Sequence, residues 1–109
     1  MDRDARIGLN EAVFREVNER ISDLAENLGL EDQPLDLVCE CGDPNCVERI
    51  SMSRTEYEEL RSEPTHFAVH PGHQQLDLED VIAERRAYFI VRKREGQPAD
   101  VARETDPRG

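Results

Sequence analysis

Three cysteines lie within eight consecutive residues, and this cluster limits the possible folds more than any other feature of the sequence. The spacing is C-x-C-x4-C, at Cys39, Cys41 and Cys46. Residues two apart in an extended strand point to the same side, so Cys39 and Cys41 can present both sulfur atoms to one point. The Asp-Pro-Asn sequence at 43–45 is typical of a type I turn, which would bring Cys46 back beside them. The pattern therefore predicts a hairpin tip that gathers three thiols.

Three thiolates supply most of a tetrahedral zinc site, and one further ligand is needed to complete it. The chain offers three histidines, His66, His70 and His73. We favour His73, because Pro71-Gly72 turns the chain sharply at the end of a predicted strand and holds the next residue in a constrained loop. His70 still lies in the strand and stays an alternative, as do Asp43 and a water molecule.

Other uses of the cysteines are weaker. A disulfide is disfavoured because Cys39 and Cys41 are too close for relaxed geometry and the number of cysteines is odd. Free thiols of a redox sensor remain an alternative. Charged residues make up 36% of the chain, against about 25% in ordinary domains, which predicts a thin core. Structural zinc contributes roughly 10–16 kcal/mol and would offset that weakness.

Upstream of the cysteines, five apolar residues recur at the spacing of an amphipathic helix. They are Val13, Val17, Ile21, Leu24 and Leu28. This stripe predicts a helix over 10–28 that packs these side chains onto the core. Asn10 is a typical N-cap, and Gly29 stands where a left-handed residue commonly ends a helix.

The remaining patterns predict short strands and one short helix. Ser53 and Glu56 form a capping-box pattern that predicts a second helix over 54–62. Runs of apolar and alternating residues predict strands at 35–39, 47–52, 66–70, 80–84 and 87–94. The expected fold class is α+β: a small antiparallel sheet of four or five strands, a long N-terminal amphipathic helix, a short second helix, and a zinc site at a hairpin tip.

The domain organisation follows from the same patterns. Residues 1–9 are charged and lack helical periodicity, so we expect a flexible leader there. Residues 96–109 contain Gly, Pro and polar side chains, which predicts a flexible tail. The segment 10–95 is then a single zinc-stabilised α+β domain.

The motifs resemble those of small bacterial zinc-binding proteins of actinobacterial type. The resemblance rests on Cys-Glu-Cys-Gly at 39–42, on Cys46 and on Pro-Gly-His at 71–73, and it covers about residues 10–94. It implies a zinc-binding module whose ligands are Cys39, Cys41, Cys46 and His73, and it implies no activity.

Net charge indicates the kind of partner. The chain carries −11 at neutral pH, and acidic side chains dominate residues 1–64. The sequence contains no motif of a catalytic zinc enzyme, nucleophile elbow or phosphate-binding loop. We therefore expect a non-enzymatic zinc-binding interaction module, an adaptor or regulator, that docks through its acidic surface onto a protein partner with a basic surface.

A second hypothesis uses the basic segment 85–94. It contains Arg85, Arg86, Arg92, Lys93 and Arg94. This segment would suit a zinc-ribbon-like nucleic-acid or transcription-associated protein, although the overall negative charge disfavours contact with phosphates. No apolar run is long enough for a membrane span, and the order of residues at the N-terminus is not that of a secretory signal, so we expect a cytoplasmic protein.

Overall fold

The structure is a computed structural model, and it describes residues 2–30 and 32–109. Within these residues the chain forms three helices and five strands. In chain order they are α1 (Arg3–Asn27), β1 (Leu35–Val38), β2 (Arg49–Met52), α2 (Arg54–Arg61), β3 (His66–Val69), β4 (Glu79–Glu84), β5 (Phe89–Lys93) and α3 (Gln97–Glu104). The α+β class, the long first helix and the short second helix are confirmed. The capping box of Ser53 and Glu56 starts α2 as predicted.

The strands form two antiparallel sheets, so the prediction of one sheet of four or five strands was wrong. β1 pairs with β2, with Leu37 opposite Ile50, and the second sheet has the order β3-β5-β4. After β1 the chain leaves the ladder at the cysteines. There the backbone N–H of Glu40 donates to the carbonyl of Ala68 at 2.9 Å, which links the sheets by a loop contact. Alternation predicts a strand, but it does not predict its partner.

Helix α1 begins earlier than predicted. Asp2 caps it by accepting a hydrogen bond from the N–H of Ala5 at 2.7 Å, and Ile7 is buried. Most of the expected leader at 1–9 is therefore helical. Asn10 lies inside the helix and is not its N-cap, whereas Gly29 has the left-handed φ of 70° expected beyond the C-terminal end.

The orientation of α1 is the largest departure from the sequence prediction. Its buried residues are Ile7, Glu11, Arg15, Asn18 and Ser22. The apolar stripe that we expected on the core faces outward: Val13 is 60% exposed, Leu24 59% and Leu28 63%. Only Ile21 of the stripe packs against the core. The helix is held by its polar face because the core supplies specific partners for those polar groups.

Arg15 is the clearest of these buried polar groups. Its guanidinium donates to the carbonyls of Pro64 at 2.6 Å and Ala102 at 2.7 Å, and to Oγ1 of Thr105 at 3.0 Å. It also lies 4.6 Å from the ring centroid of Phe67. Burial lowers the pKa of Arg15. One side chain therefore ties α1 to α3 and to the second sheet.

The C-terminal segment is also ordered where a tail was expected. Helix α3 occupies most of 96–109, and Ala99 and Ala102 are buried. Pro98 lies in its first turn, where a missing N–H costs little. The composition of this segment suggested a loop, but two alanines suffice to seat a short helix against α1.

We expect Arg15→Met to lower the free energy of unfolding by about 2–4 kcal/mol, because two carbonyls and a hydroxyl would lose their buried donor. Arg86→Met, at an exposed position in the turn between β4 and β5, is the matched control and should change stability by less than about 0.5 kcal/mol. Chemical denaturation measures both. Equal effects of the two variants would contradict the role given to Arg15.

A second buried polar group joins α1 to the three-stranded sheet. Lys93 Nζ lies 2.6 Å from Oε1 of Glu79 and 2.7 Å from Oε2 of Glu11, and all three side chains are buried. Glu79 also accepts from the N–H of Gln75 at 2.8 Å. The carboxyl groups of Glu11 and Glu79 thus share one ammonium. Burial raises the pKa of Glu11 to about 8.

This pKa predicts a pH effect with a definite sign. Between about pH 4.5 and 8 the folded state holds a proton on Glu11 that the unfolded state has lost, so stability falls as pH rises, by up to about 1.4 kcal/mol per unit. Glu11→Gln removes that dependence. We expect the variant and the native protein to be similarly stable near pH 5, and the variant to be the more stable at pH 8. Denaturant titrations across this pH range measure the free energy of unfolding of both proteins. An equal dependence of that free energy on pH in the two proteins would contradict the assignment to Glu11.

The apolar core has two parts. One lies between α2 and the two sheets and is formed by Leu35, Leu37, Ile50, Met52, Tyr57, Leu60, Ala68 and Tyr88. The other contains Cys39, Cys41, Phe67, Val69, Val91 and Ala102. Two of the three cysteines therefore belong to the core itself. Among the described residues, no helix has the length and apolar character needed to cross a membrane.

Candidate metal centre

The cysteine loop follows β1 directly. Cys39 and Cys41 are buried and Cys46 is half-buried. The N–H of Cys39 donates to the carbonyl of Glu48 at 3.1 Å, and the N–H of Cys46 donates to the carbonyl of Asp43 at 3.1 Å. These bonds close the loop and bring Cys46 back, as the Asp-Pro-Asn sequence predicts. All three thiols are free.

The fourth member of the cluster comes from the loop after β3. His73 Nδ1 lies 3.7 Å from Sγ of Cys39 and 3.5 Å from Sγ of Cys46. Together with Cys41, these side chains place their ligand atoms within 4.8 Å of one another. Such a group of three thiols and an imidazole could hold a metal ion.

The other sequence candidates are placed elsewhere. His70 Nδ1 lies 3.1 Å from the carbonyl of Pro71, and its Nε2 lies 3.7 Å from a carboxylate oxygen of Glu48. His66 belongs to β3. The carboxylate of Asp43 accepts from the N–H of Asn45 at 2.9 Å and is not part of the four-residue cluster.

His70 contributes to the cluster through its backbone. Its N–H donates to Sγ of Cys39 at 3.1 Å, and its carbonyl accepts from the N–H of His73 at 2.9 Å. The second bond closes a turn in which Gly72 has a φ of 95°, a conformation that side chains rarely adopt. An amide that donates to a sulfur stabilises its thiolate form. The turn therefore directs an N–H group to the sulfur of Cys39 and holds the residue that carries the imidazole, His73.

The thiols titrate unequally because they share protons. Hydrogen bonding from Cys39, with contributions from the N–H of Asp43 and from His73, lowers the pKa of Cys41 to about 5. The same bond, together with burial, raises the pKa of Cys39. Burial raises the pKa of Cys46. The lowered pKa of Cys41 favours its thiolate, which is the form that binds metals.

A buried carboxylate fixes the segment after β1 that carries two of the cysteines. Glu40 is fully buried and accepts from Nδ2 of Asn18 at 2.8 Å, from Nη2 of Arg61 at 2.8 Å and from the N–H of Ala68 at 3.0 Å. Because side chains alternate along an extended chain, Glu40 points away from the sulfurs on either side of it. It is a positioning residue that sequence reasoning missed, since a glutamate is usually solvated.

Asn18 and Arg61 were also missed. Asn18 binds both backbone groups of Val38, accepting from its N–H at 2.8 Å and donating to its carbonyl at 2.8 Å. Arg61 and Glu40 form an ion pair that is almost completely buried. For Asn18 the one sequence signal is its position on α1, outside the apolar stripe.

The first turns of α1 pack directly on the cysteine loop. Nδ2 of Asn10 donates to the carbonyl of Gly42 at 2.9 Å. A Cβ atom added to Gly42 would lie 2.3 Å from Cγ2 of Ile7, so only glycine fits at this position without a shift of the helix. The segment that we expected to be a leader therefore forms one wall of the cluster.

Comparisons with known proteins add no further information about this cluster. No protein-family model, curated protein or solved structure matches the chain. The case for its function therefore depends on the geometry of its own side chains.

We expect Glu40→Gln to destabilise the protein by about 2–4 kcal/mol and to increase the reactivity of the thiols. The amide would place its N–H₂ group against at least one of the three donors that the carboxylate now accepts from, and it would leave Arg61 buried without its counter-charge. Glu48→Gln, at an exposed position nearby, is the control and should change neither property. Thiol titration of the folded protein, together with denaturation, measures both effects; unchanged thiol reactivity in Glu40→Gln would remove the positioning role.

Proposed function

We propose that Cys39, Cys41, Cys46 and His73 bind one zinc ion. The observation that carries this proposal is the convergence of all four ligand atoms within 4.8 Å. Tetrahedral zinc with bonds of about 2.3 Å to sulfur and 2.0–2.1 Å to nitrogen requires nitrogen–sulfur separations of about 3.6 Å. The two separations from His73 Nδ1 are 3.7 and 3.5 Å. Thiolate and imidazole donors also favour zinc over magnesium or calcium.

The site supports a structural role for the metal rather than a catalytic one. Four protein ligands complete a tetrahedral shell, whereas catalytic zinc keeps one position for water or substrate. Glu40, a carboxylate adjacent to two ligands in sequence, is engaged by Asn18, Arg61 and Ala68 and so is not placed as a general base. Zinc here would join the loop after β1 to the loop after β3.

We infer that the folded chain acts as a non-enzymatic interaction module, an adaptor or regulator in the cytoplasm, whose acidic surface binds a protein with a basic surface. The net charge of −11 supports this proposal. A field of this sign attracts basic surfaces and repels nucleic acids at long range. Several exposed carboxylates on α1 and α2, such as Asp23 and Glu59, contribute to it.

The nucleic-acid hypothesis is weaker once the basic segment is seen in three dimensions. Lys93 is buried between two carboxylates, and Arg94 lies 3.1 Å from Asp80. Arg85, Arg86 and Arg92 remain exposed. Three exposed cations form a small basic patch on a chain whose net charge is −11. Binding to DNA or RNA that falls steeply with added salt would favour this second function over the first.

The redox-sensor hypothesis keeps one supporting observation, the thiolate character of Cys41. The metal content of the purified protein separates the zinc hypothesis from the redox-sensor hypothesis. Zinc-bound thiolates react slowly with oxidants, whereas free thiolates react quickly. A protein with free, oxidant-sensitive thiols and no metal would replace the zinc proposal.

We expect the native protein, purified without added metal, to contain one zinc per chain by elemental analysis and native mass spectrometry. His73→Ala should reduce the zinc content at least about tenfold under competition with a chelator, since it removes a ligand. His70→Ala keeps the backbone N–H that faces Cys39 and should retain zinc. Loss of zinc from His70→Ala together with retention in His73→Ala would reassign the fourth ligand.

A further inference from the structure

The outward face of α1 is apolar over most of its length. It is formed by Leu9, Val13, Val17, Leu24 and Leu28, which are between 38% and 63% exposed. From Leu9 to Leu28 the helix rises by about 28 Å. A contiguous apolar stripe of this length is uncommon on a monomer and marks a contact surface. It is the stripe that the sequence predicts as core, and within this chain it remains uncovered.

Two shallow grooves lie end to end along this face. One is lined by Leu9, Ala12, Val13, Glu16, Val17 and Arg20. The other is lined mainly by apolar residues near the C-terminal end of α1 and in the loop after it, including Leu24, Leu28 and Leu30. The residues that line the two grooves follow one another along α1, so a helix laid along α1 would cover both.

The charges within the face determine which helix fits. Glu16 and Arg20 are the charged residues that line the first groove; both are exposed, and they lie 3.8 Å apart within the helix. One charge of each sign leaves the face neutral, which gives no preference for a basic partner. It gives a preference for a surface with the same two charges in the reverse order. An antiparallel copy of α1 has that order.

We propose that this face is the contact between two copies of the chain, whose α1 helices pack antiparallel about a two-fold axis between residues 18 and 19. This register places Leu9 opposite Leu28 of the second copy and Val13 opposite its Leu24. Glu16 of each copy then lies within one residue of the level of Arg20 of the other, about 1.5 Å along the helix, so the two long side chains can pair. Parallel packing would instead set Glu16 against Glu16 and Arg20 against Arg20.

The ends of the two helices also match. In the antiparallel register, Leu9 of the second copy enters the groove lined by Leu24, Leu28 and Leu30. A two-fold axis makes both such contacts at once, which is the usual arrangement of homodimers. The −11 charge of each copy opposes association, but screening limits this repulsion to about 8 Å at physiological salt. The dimer contact is independent of the zinc proposal, since none of its residues is a metal ligand.

The test is the molar mass of the intact, as-purified protein in solution, by sedimentation velocity or light scattering from about 1 to 200 µM. We expect a monomer–dimer equilibrium in the native protein. Leu24→Glu should weaken the dimer at least about tenfold, because two carboxylates would be buried in the contact. Leu76→Glu is the matched control, since Leu76 is 60% exposed outside α1, and it should leave the dimer unchanged. Circular dichroism checks that both variants fold.

The orientation is tested by exchanging the two charges. Glu16→Arg and Arg20→Glu should each weaken the dimer, and the double variant should restore it, because the exchanged pair still meets an opposite charge only in the antiparallel register. A native protein that stays monomeric throughout the concentration range overturns the proposal. So does a dimer that tolerates Leu24→Glu, and a double variant as weak as the single ones overturns the antiparallel arrangement.

Discussion

The buried carboxylate of Glu40 joins three parts of the chain that are distant from it in sequence. Asn18 reaches it from α1, Arg61 from the end of α2, and Ala68 from β3. A carboxylate without these partners would be too costly to bury, so the three contacts form together with the fold. The backbone on either side of Glu40 carries Cys39 and Cys41. The position of two sulfurs therefore depends on the hydrogen-bond network around the side chain that lies between them in sequence.

Local features of the fold were predictable because they depend on local chemistry. The capping box at Ser53 needs only residues three apart, and the positive φ at Gly29 follows from the end of a helix. The proximity of the three cysteines was also predictable from local chemistry, since all three belong to one short loop. Their approach to His73 was a prediction from a Pro-Gly turn, and the structure places that side chain beside them.

The orientation of α1 was not predictable by the same reasoning. A hydrophobic stripe predicts the buried face only if burial of apolar area is the dominant contribution, and here Arg15, Asn18 and Glu11 find partners that are distant in sequence. Those partners are backbone groups and the side chains of other elements, and their positions depend on the completed fold. The division of the strands into two sheets was not predictable for the same reason, because strand pairing depends on contacts between residues that are distant in sequence.

The hydrogen bond between Arg15 and Ala102 spans 87 residues. A ribosome makes α1 before α3, and at about 5–20 residues per second several seconds separate them. During that interval neither face of α1 has its partner: the arginine lacks its carbonyls and the leucines are open to water. The nascent helix would then be a binding site for a chaperone that recognises exposed apolar segments. The arrival of α3 buries the polar face, whereas the leucines stay open to water until a second copy covers them.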